Sequence, residues 1–159
     1  MKLFNHFGST IVSGLTLAAT MFMSTTRAAD NPALMEPVKS VYNDYLKIQT
    51  SLAGDSLNGV AANAEAIAKA VNADNMKRLP ATVATEADAL AKAKDLKSAR
   101  TAFKALSATL IKYLTDHKAK SAYVEVYCPM ANASWLQADK HVQNPYLGRE
   151  MLACGEIKN

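Results

Sequence analysis

From Asn31 to Ser121 the chain carries apolar residues three and four apart in a background of Ala, Leu, Lys and Asp, with little Gly or Pro. That spacing follows one face of an α-helix rather than the alternation of a strand, so the whole stretch predicts helix. A first helix is expected to start around Pro37, a residue tolerated in the first turn, and to bury Val38, Val41, Tyr42, Tyr45 and Leu52 before stopping near Gly54. Asp55 or Ser56 is expected to cap a second helix with Leu57, Val60, Ala64, Ile67 and Val71 inward. The pattern lapses from Asn72 to Thr85, where Leu79-Pro80 favours a connector. A short third helix is expected from Thr85, acting as N-cap, to about Lys94 or Asp95. The fourth carries Leu96, Ala99, Phe103, Leu106, Leu110, Ile111 and Leu114, and ends near His117 and Lys118, whose charges suit a helix C-terminus.

Four helices with short connections predict an all-α fold, an antiparallel four-helix bundle over residues 33–121 with an irregular C-terminal cap over 122–159. The many alanines imply close approach and a modest core. In the cap, Ala122 to Tyr127 is β-branched and aromatic, which suits either a short extended segment or a last helix, and Pro129 favours extension at Cys128. Trp135 is expected to anchor the cap, and Asn144-Pro145-Tyr146 with Gly148 signals a turn.

The first 28 residues have the features of a signal peptide: Lys2 at the start, an apolar stretch from Ile11 to Met23, and Thr26-Arg27-Ala28 at the cleavage position. The apolar stretch is too short for a membrane span of roughly 20 residues. The expected mature chain, residues 29–159, is a single exported domain in a bacterial periplasm. Cleavage removes Lys2 and Arg27 and no acid, leaving 16 basic against 14 acidic residues. Those charges are scattered at helical spacing with no interleaved aromatics, which argues against a nucleic-acid partner. His6 leaves with the leader, and His117 is expected to be a helix-end charge.

Chemistry is concentrated in the cap. Both cysteines lie there, with Cys128-Pro129-Met130 at one end and Met151-Leu152-Ala153-Cys154-Gly155 at the other. In an extended segment Cys128 and Met130 point to one side, and on a helical turn Met151 and Cys154 share a face. If the two pieces pack together, four soft sulfur donors converge, a set suited to Cu(I), and His141 in the intervening loop offers a ring nitrogen. The alternative is a Cys128–Cys154 disulfide, the common fate of two cysteines in an exported chain, and the methionines are then apolar filler. The two readings are compatible as redox states of one site. No Cys-His-acid set, phosphate loop or HExxH motif is present, so no enzymatic activity is expected.

The runs Tyr127 to Ala131, Ala133 to Leu136, Asn144 to Gly148 and Met151 to Gly155 resemble a family of uncharacterised bacterial periplasmic domains. Members of that family occur alone or fused to membrane-fusion subunits of copper/silver-type heavy-metal efflux systems. The resemblance extends weakly upstream through Phe103, Leu106 and Ser107. It implies a helical domain associated with copper or heavy-metal handling and a membrane-fusion protein as partner. Cys128, Met130, Met151 and Cys154 match the family's pattern, whereas His141 does not belong to it and Leu147 stands where an aromatic often follows the turn.

Overall fold

The computed structural model describes residues 34–158. The expected leader, residues 1–28, and the first residues of the expected mature chain lie outside the described residues. Four helices come first: α1 (Val38–Ala53), α2 (Val60–Ala73), α3 (Ala81–Ala91) and α4 (Leu96–Asp116). In α1 the apolar period places Val38, Val41, Tyr42, Tyr45, Ile48 and Leu52 in full burial. Asp55 and Ser56 do not cap α2. Its N-cap is Gly59, at φ 74°, a left-handed conformation that glycine adopts without Cβ strain. The third helix starts at Ala81 and not at Thr85, because Pro80 precedes the first turn, where a missing N–H costs nothing. Helix α4 matches its expected span and opens with a capping box, in which the Ser98 N–H donates to Asp95 Oδ1 at 2.7 Å.

Successive helices pack in chain order, α1 on α2, α2 on α3 and α3 on α4. Aromatic side chains span the interval between α1 and α4. The Tyr42 hydroxyl donates to the Leu110 carbonyl at 2.7 Å, and the Tyr45 ring stacks on Phe103 with centroids 4.8 Å apart. Strand β2 of the C-terminal region packs against both α4 and α1.

The all-α expectation is overturned. The region after α4 forms a three-stranded antiparallel sheet, β1 (Val124–Cys128), β2 (Ala133–Gln137) and β3 (Glu156–Ile157), in the order β2-β1-β3. The fold is therefore α+β, with helices as its main content. Strand β1 has the β-branched and aromatic residues that favour extension. Strand β2 has only Trp135 of this class, and is otherwise fixed by its surroundings. A turn from Pro129 to Asn132 reverses the chain, with the Asn132 N–H bonded to the Pro129 carbonyl at 3.2 Å and Asn132 in the left-handed region. On the outer edge of β2, the Leu136 N–H donates to the Tyr45 hydroxyl at 3.1 Å and the Ser134 carbonyl accepts from the Tyr146 hydroxyl at 2.7 Å. Two tyrosines thus satisfy backbone groups that an open sheet edge leaves unpaired.

One ion-pair cluster locks this sheet region to the helices. Arg100 on α4 donates to the Pro145 carbonyl at 2.8 Å, the Leu52 carbonyl at 3.1 Å and Asp55 Oδ1 at 2.5 Å. Asp55 also accepts from the Arg149 N–H at 3.0 Å. Gly148 passes against this cluster at φ 63°, and an added Cβ there would lie 1.8 Å from Asp55 Oδ1. Among the described residues, no helix is long and apolar enough to cross a membrane.

Candidate functional site: a cysteine pair between strands

Alternation along β1 puts Val126 and Cys128 on one buried face. Strand β3 pairs with the other edge of β1, with Val126 opposite Ile157 and Tyr127 opposite Glu156. Continuing that register brings the chain just before β3 alongside Cys128. The two Sγ atoms lie 2.9 Å apart. Cys128 is fully buried, whereas Cys154 is only partly covered.

The approach depends on Gly155. A Cβ at that position would meet Val126 Cγ1 at 2.6 Å and Trp135 Cη2 at 2.7 Å. Trp135 is held by its indole N–H, which donates to Gln137 Oε1 at 3.0 Å, so it does not yield easily. Asn144, also fully buried, builds the turn beneath the pair. Its Nδ2 donates to the Cys154 carbonyl at 2.6 Å, and its Oδ1 accepts from the Tyr146 and Leu147 N–H groups at 2.8 and 3.0 Å. Its own N–H donates to the Leu152 carbonyl at 2.8 Å. Gln137 closes the neighbouring loop by donating to the carbonyls of Asp139 and His141 at 2.7 and 2.9 Å.

The two sulfurs are electrostatically unequal. Burial pushes the Cys128 thiol up, but hydrogen bonds from Cys154 Sγ, the Ala131 N–H, the Asn144 side chain and the Met130 N–H outweigh it and hold Cys128 below the ordinary thiol value. The Cys154 thiol is raised, first because it donates to Cys128 and then by burial and the neighbouring charge. The pair therefore favours a Cys128 thiolate beside a Cys154 thiol.

Of the expected ligands, the structure brings the two cysteines together. Met130 lies in the turn after β1 and is 65 % exposed, so its backbone N–H serves Cys128 while its side chain faces solvent. Met151 is half-buried in the short 3₁₀ turn Gly148–Met151, and its carbonyl accepts the Cys154 N–H at 3.0 Å. His141 is exposed, with its backbone N–H on Asp139 Oδ1 at 2.7 Å. Among the described residues, no group of three or more His, Cys, Asp or Glu side chains is placed to hold a metal ion. Asn144, Gln137 and Gly155 were not singled out as site residues by sequence reasoning. No local signal marks Gly155, because its role comes from the approach of Val126 and Trp135, which are remote in sequence.

No curated protein and no solved structure significantly matches the chain. A family described as "Protein of unknown function (DUF3347)" matches residues 41–122, which run from within α1 to the end of the helical region and stop before β1 and the cysteine pair. The match spans more than half of the 159 residues, and the chain belongs to that family.

Proposed function

We propose that this protein is an exported domain that binds Cu(I) or a cation of the same soft class through the thiolates of Cys128 and Cys154. Its role is that of a chaperone, a buffer or an accessory to a heavy-metal efflux system, with a membrane-fusion subunit as partner. The observation that carries the reading is the contact of two thiols, one of them held toward the thiolate by N–H donors. Soft thiolates select soft cations, and Met130 and Met151 stand close in sequence as added thioether donors. The resemblance of the cap to domains of copper/silver-type efflux systems supports the same reading.

The donor chemistry fits two-sulfur coordination with a small adjustment. Two sulfurs at about 2.3 Å from a tetrahedral cation lie about 3.8 Å apart. The pair at 2.9 Å must therefore open, and Cys154 is its partly covered member. Met130 borders Cys128 through its backbone N–H, and its exposed side chain would have to turn inward to add a thioether donor. His141, exposed and outside the resembling pattern, has no role in the site.

The test is an anaerobic Cu(I) titration against a chromogenic chelator, on reduced and on oxidised protein. One-to-one binding by the reduced form, absent from Cys128→Ser and weakened in Met130→Leu, is the expected result. No competition by the reduced protein would refute the reading. A second reading has one specific observation behind it: sulfurs 2.9 Å apart need little movement to reach the roughly 2.05 Å of a disulfide. In that reading the bond pins the sheet region and the protein acts through a partner without metal.

A further inference from the structure

We infer that Cys154 is the sulfur through which the pair exchanges with small disulfides, and that Cys128 closes the protein disulfide from the interior. This rests on the proposed metal site and adds its regulation, since a closed Cys128–Cys154 bond leaves no thiolate for a cation.

The asymmetry is one of access. Cys128 is fully buried at the end of the central strand, inside the cluster that includes Val126, Ala133 and Trp135. The Ala131 N–H lies 3.5 Å from its sulfur on the turn side. A reagent larger than a proton therefore meets Cys154 first. Cys154 is partly exposed and enters through a short turn and the two-residue strand β3, which bonds to the outer edge of β1. Its sulfur is also 2.9 Å from the one that must complete the exchange, so the second step needs no large movement.

The oxidant is a low-molecular-weight disulfide, RSSR. Cys154 passes its proton to the Cys128 thiolate 2.9 Å away and attacks one sulfur of RSSR; a Cys154–SR bond forms, the RS–SR bond breaks, and the departing RS⁻ takes that proton from Cys128. Cys128, as thiolate, then attacks Cys154 Sγ; the Cys128–Cys154 bond forms, the Cys154–SR bond breaks, and the second RS⁻ takes up from solvent the proton that Cys128 first released there as a thiol. Two protein thiols give up two electrons and two protons, and one RSSR becomes two RSH. Reduction runs the same path backwards, with RS⁻ attacking Cys154.

Two experiments test the order. Reduced full chain treated with limiting iodoacetamide, digested and analysed by mass spectrometry should carry the adduct predominantly on Cys154, because burial of Cys128 outweighs its greater thiolate character. Oxidised glutathione should trap a mixed disulfide on Cys154 in Cys128→Ala and leave Cys128 thiol in Cys154→Ala. Equal or preferential labelling of Cys128 in the wild type overturns the inference, as does a mixed disulfide on Cys128 in a Cys154→Ala chain that retains its circular dichroism. Should either variant unfold, the wild-type labelling decides alone. The labelling needs no metal, so Cys154-first labelling with no Cu(I) binding would remove the metal reading and leave this one, while tight binding with unordered labelling would do the reverse.

Discussion

Replacing Gly155 by Ala adds a single methyl group, and the structure states what it must displace. The new carbon would stand 2.6 Å from Val126 Cγ1 and 2.7 Å from Trp135 Cη2, against the 3.5–4.0 Å or so of an ordinary carbon contact. About 1 Å of movement is therefore required. Val126 and Trp135 are fully buried and Trp135 is tied to Gln137, so the chain around Gly155 moves instead. That segment is weakly held, because β3 pairs with β1 over only two residues. Overpacking of this kind costs about 1–3 kcal/mol, while losing glycine's freedom in the unfolded chain offsets about 0.4–1 kcal/mol of it. A net loss of about 1.5 kcal/mol corresponds to a melting temperature about 6 °C lower for a domain of this size. Thermal unfolding of the reduced protein, followed by fluorescence of the single tryptophan, measures it. The same displacement carries Cys154 away from Cys128, so disulfide formation by oxidised glutathione should slow in parallel. A control at the exposed neighbour, Ala153→Ser, should change neither. A Gly155→Ala protein with unchanged melting temperature and unchanged oxidation rate would refute the claim that this glycine sets the sulfur contact.

Tyr45→Phe leaves the Leu136 N–H and the Ser107 hydroxyl without their buried partner, and should cost about 1–3 kcal/mol in urea unfolding and speed hydrogen exchange at the Leu136 amide. Oxidation of the cysteines closes the chain between positions 26 residues apart, which by the chain-entropy argument adds about 3.5 kcal/mol and raises the melting temperature by roughly 13 °C over the reduced form. Asp55 is held below its ordinary value of 3.8 by the Arg100 guanidinium and then by the Arg149 N–H, with burial opposing them. A depressed folded-state value means that the stabilisation is complete above the unfolded value and is lost as pH falls through the folded one. Stability should therefore decline below about pH 4 and decline less steeply in Asp55→Asn, with Asp74 and Asp95, shifted the same way, accounting for the remaining slope.

Helices α1 and α4 were legible because their burial follows the 3.6-residue period; the five side chains expected inward along α1 are all buried, as are Ile48, Gln49 and Ala53, which were not expected. The start of α3 was not, because Pro80 was read as an interruption when it serves as the residue before the first turn. Strand β2 was hidden for a different reason. Its extended form depends on hydroxyls of Tyr45 and Tyr146, distant in sequence, and no local propensity of Ala133 to Gln137 announces them. At the site, alternation put Cys128 and Met130 on one side, whereas the structure buries Cys128 and exposes Met130. The strand ends at Cys128 and the chain turns at Pro129, so the two-residue period no longer governs where Met130 points. The meeting of Cys128 and Cys154 was one of the open arrangements in the sequence, and what closes it is the register of β3 and the missing side chain of Gly155.

The site joins a fixed sulfur to a movable one. Cys128 belongs to the central strand, paired on one side over its whole length with β2, which is itself held against α1 and α4. Cys154 belongs to a short edge segment tied by its own carbonyl to Asn144 and by its N–H to Met151. A disulfide requires Cys154 to advance, and a shared cation requires it to retreat, each by about 1 Å from the observed 2.9 Å separation. Asn144 touches both members, since its side chain bonds Cys128 and its Nδ2 donates to the Cys154 carbonyl, so either movement is felt at that buried amide. The family match ends at residue 122, so the three strands and the cysteine pair lie beyond it. A pair poised between two nearby geometries, with one member anchored and the other on an edge, is suited to a site whose occupancy follows the redox state of its surroundings.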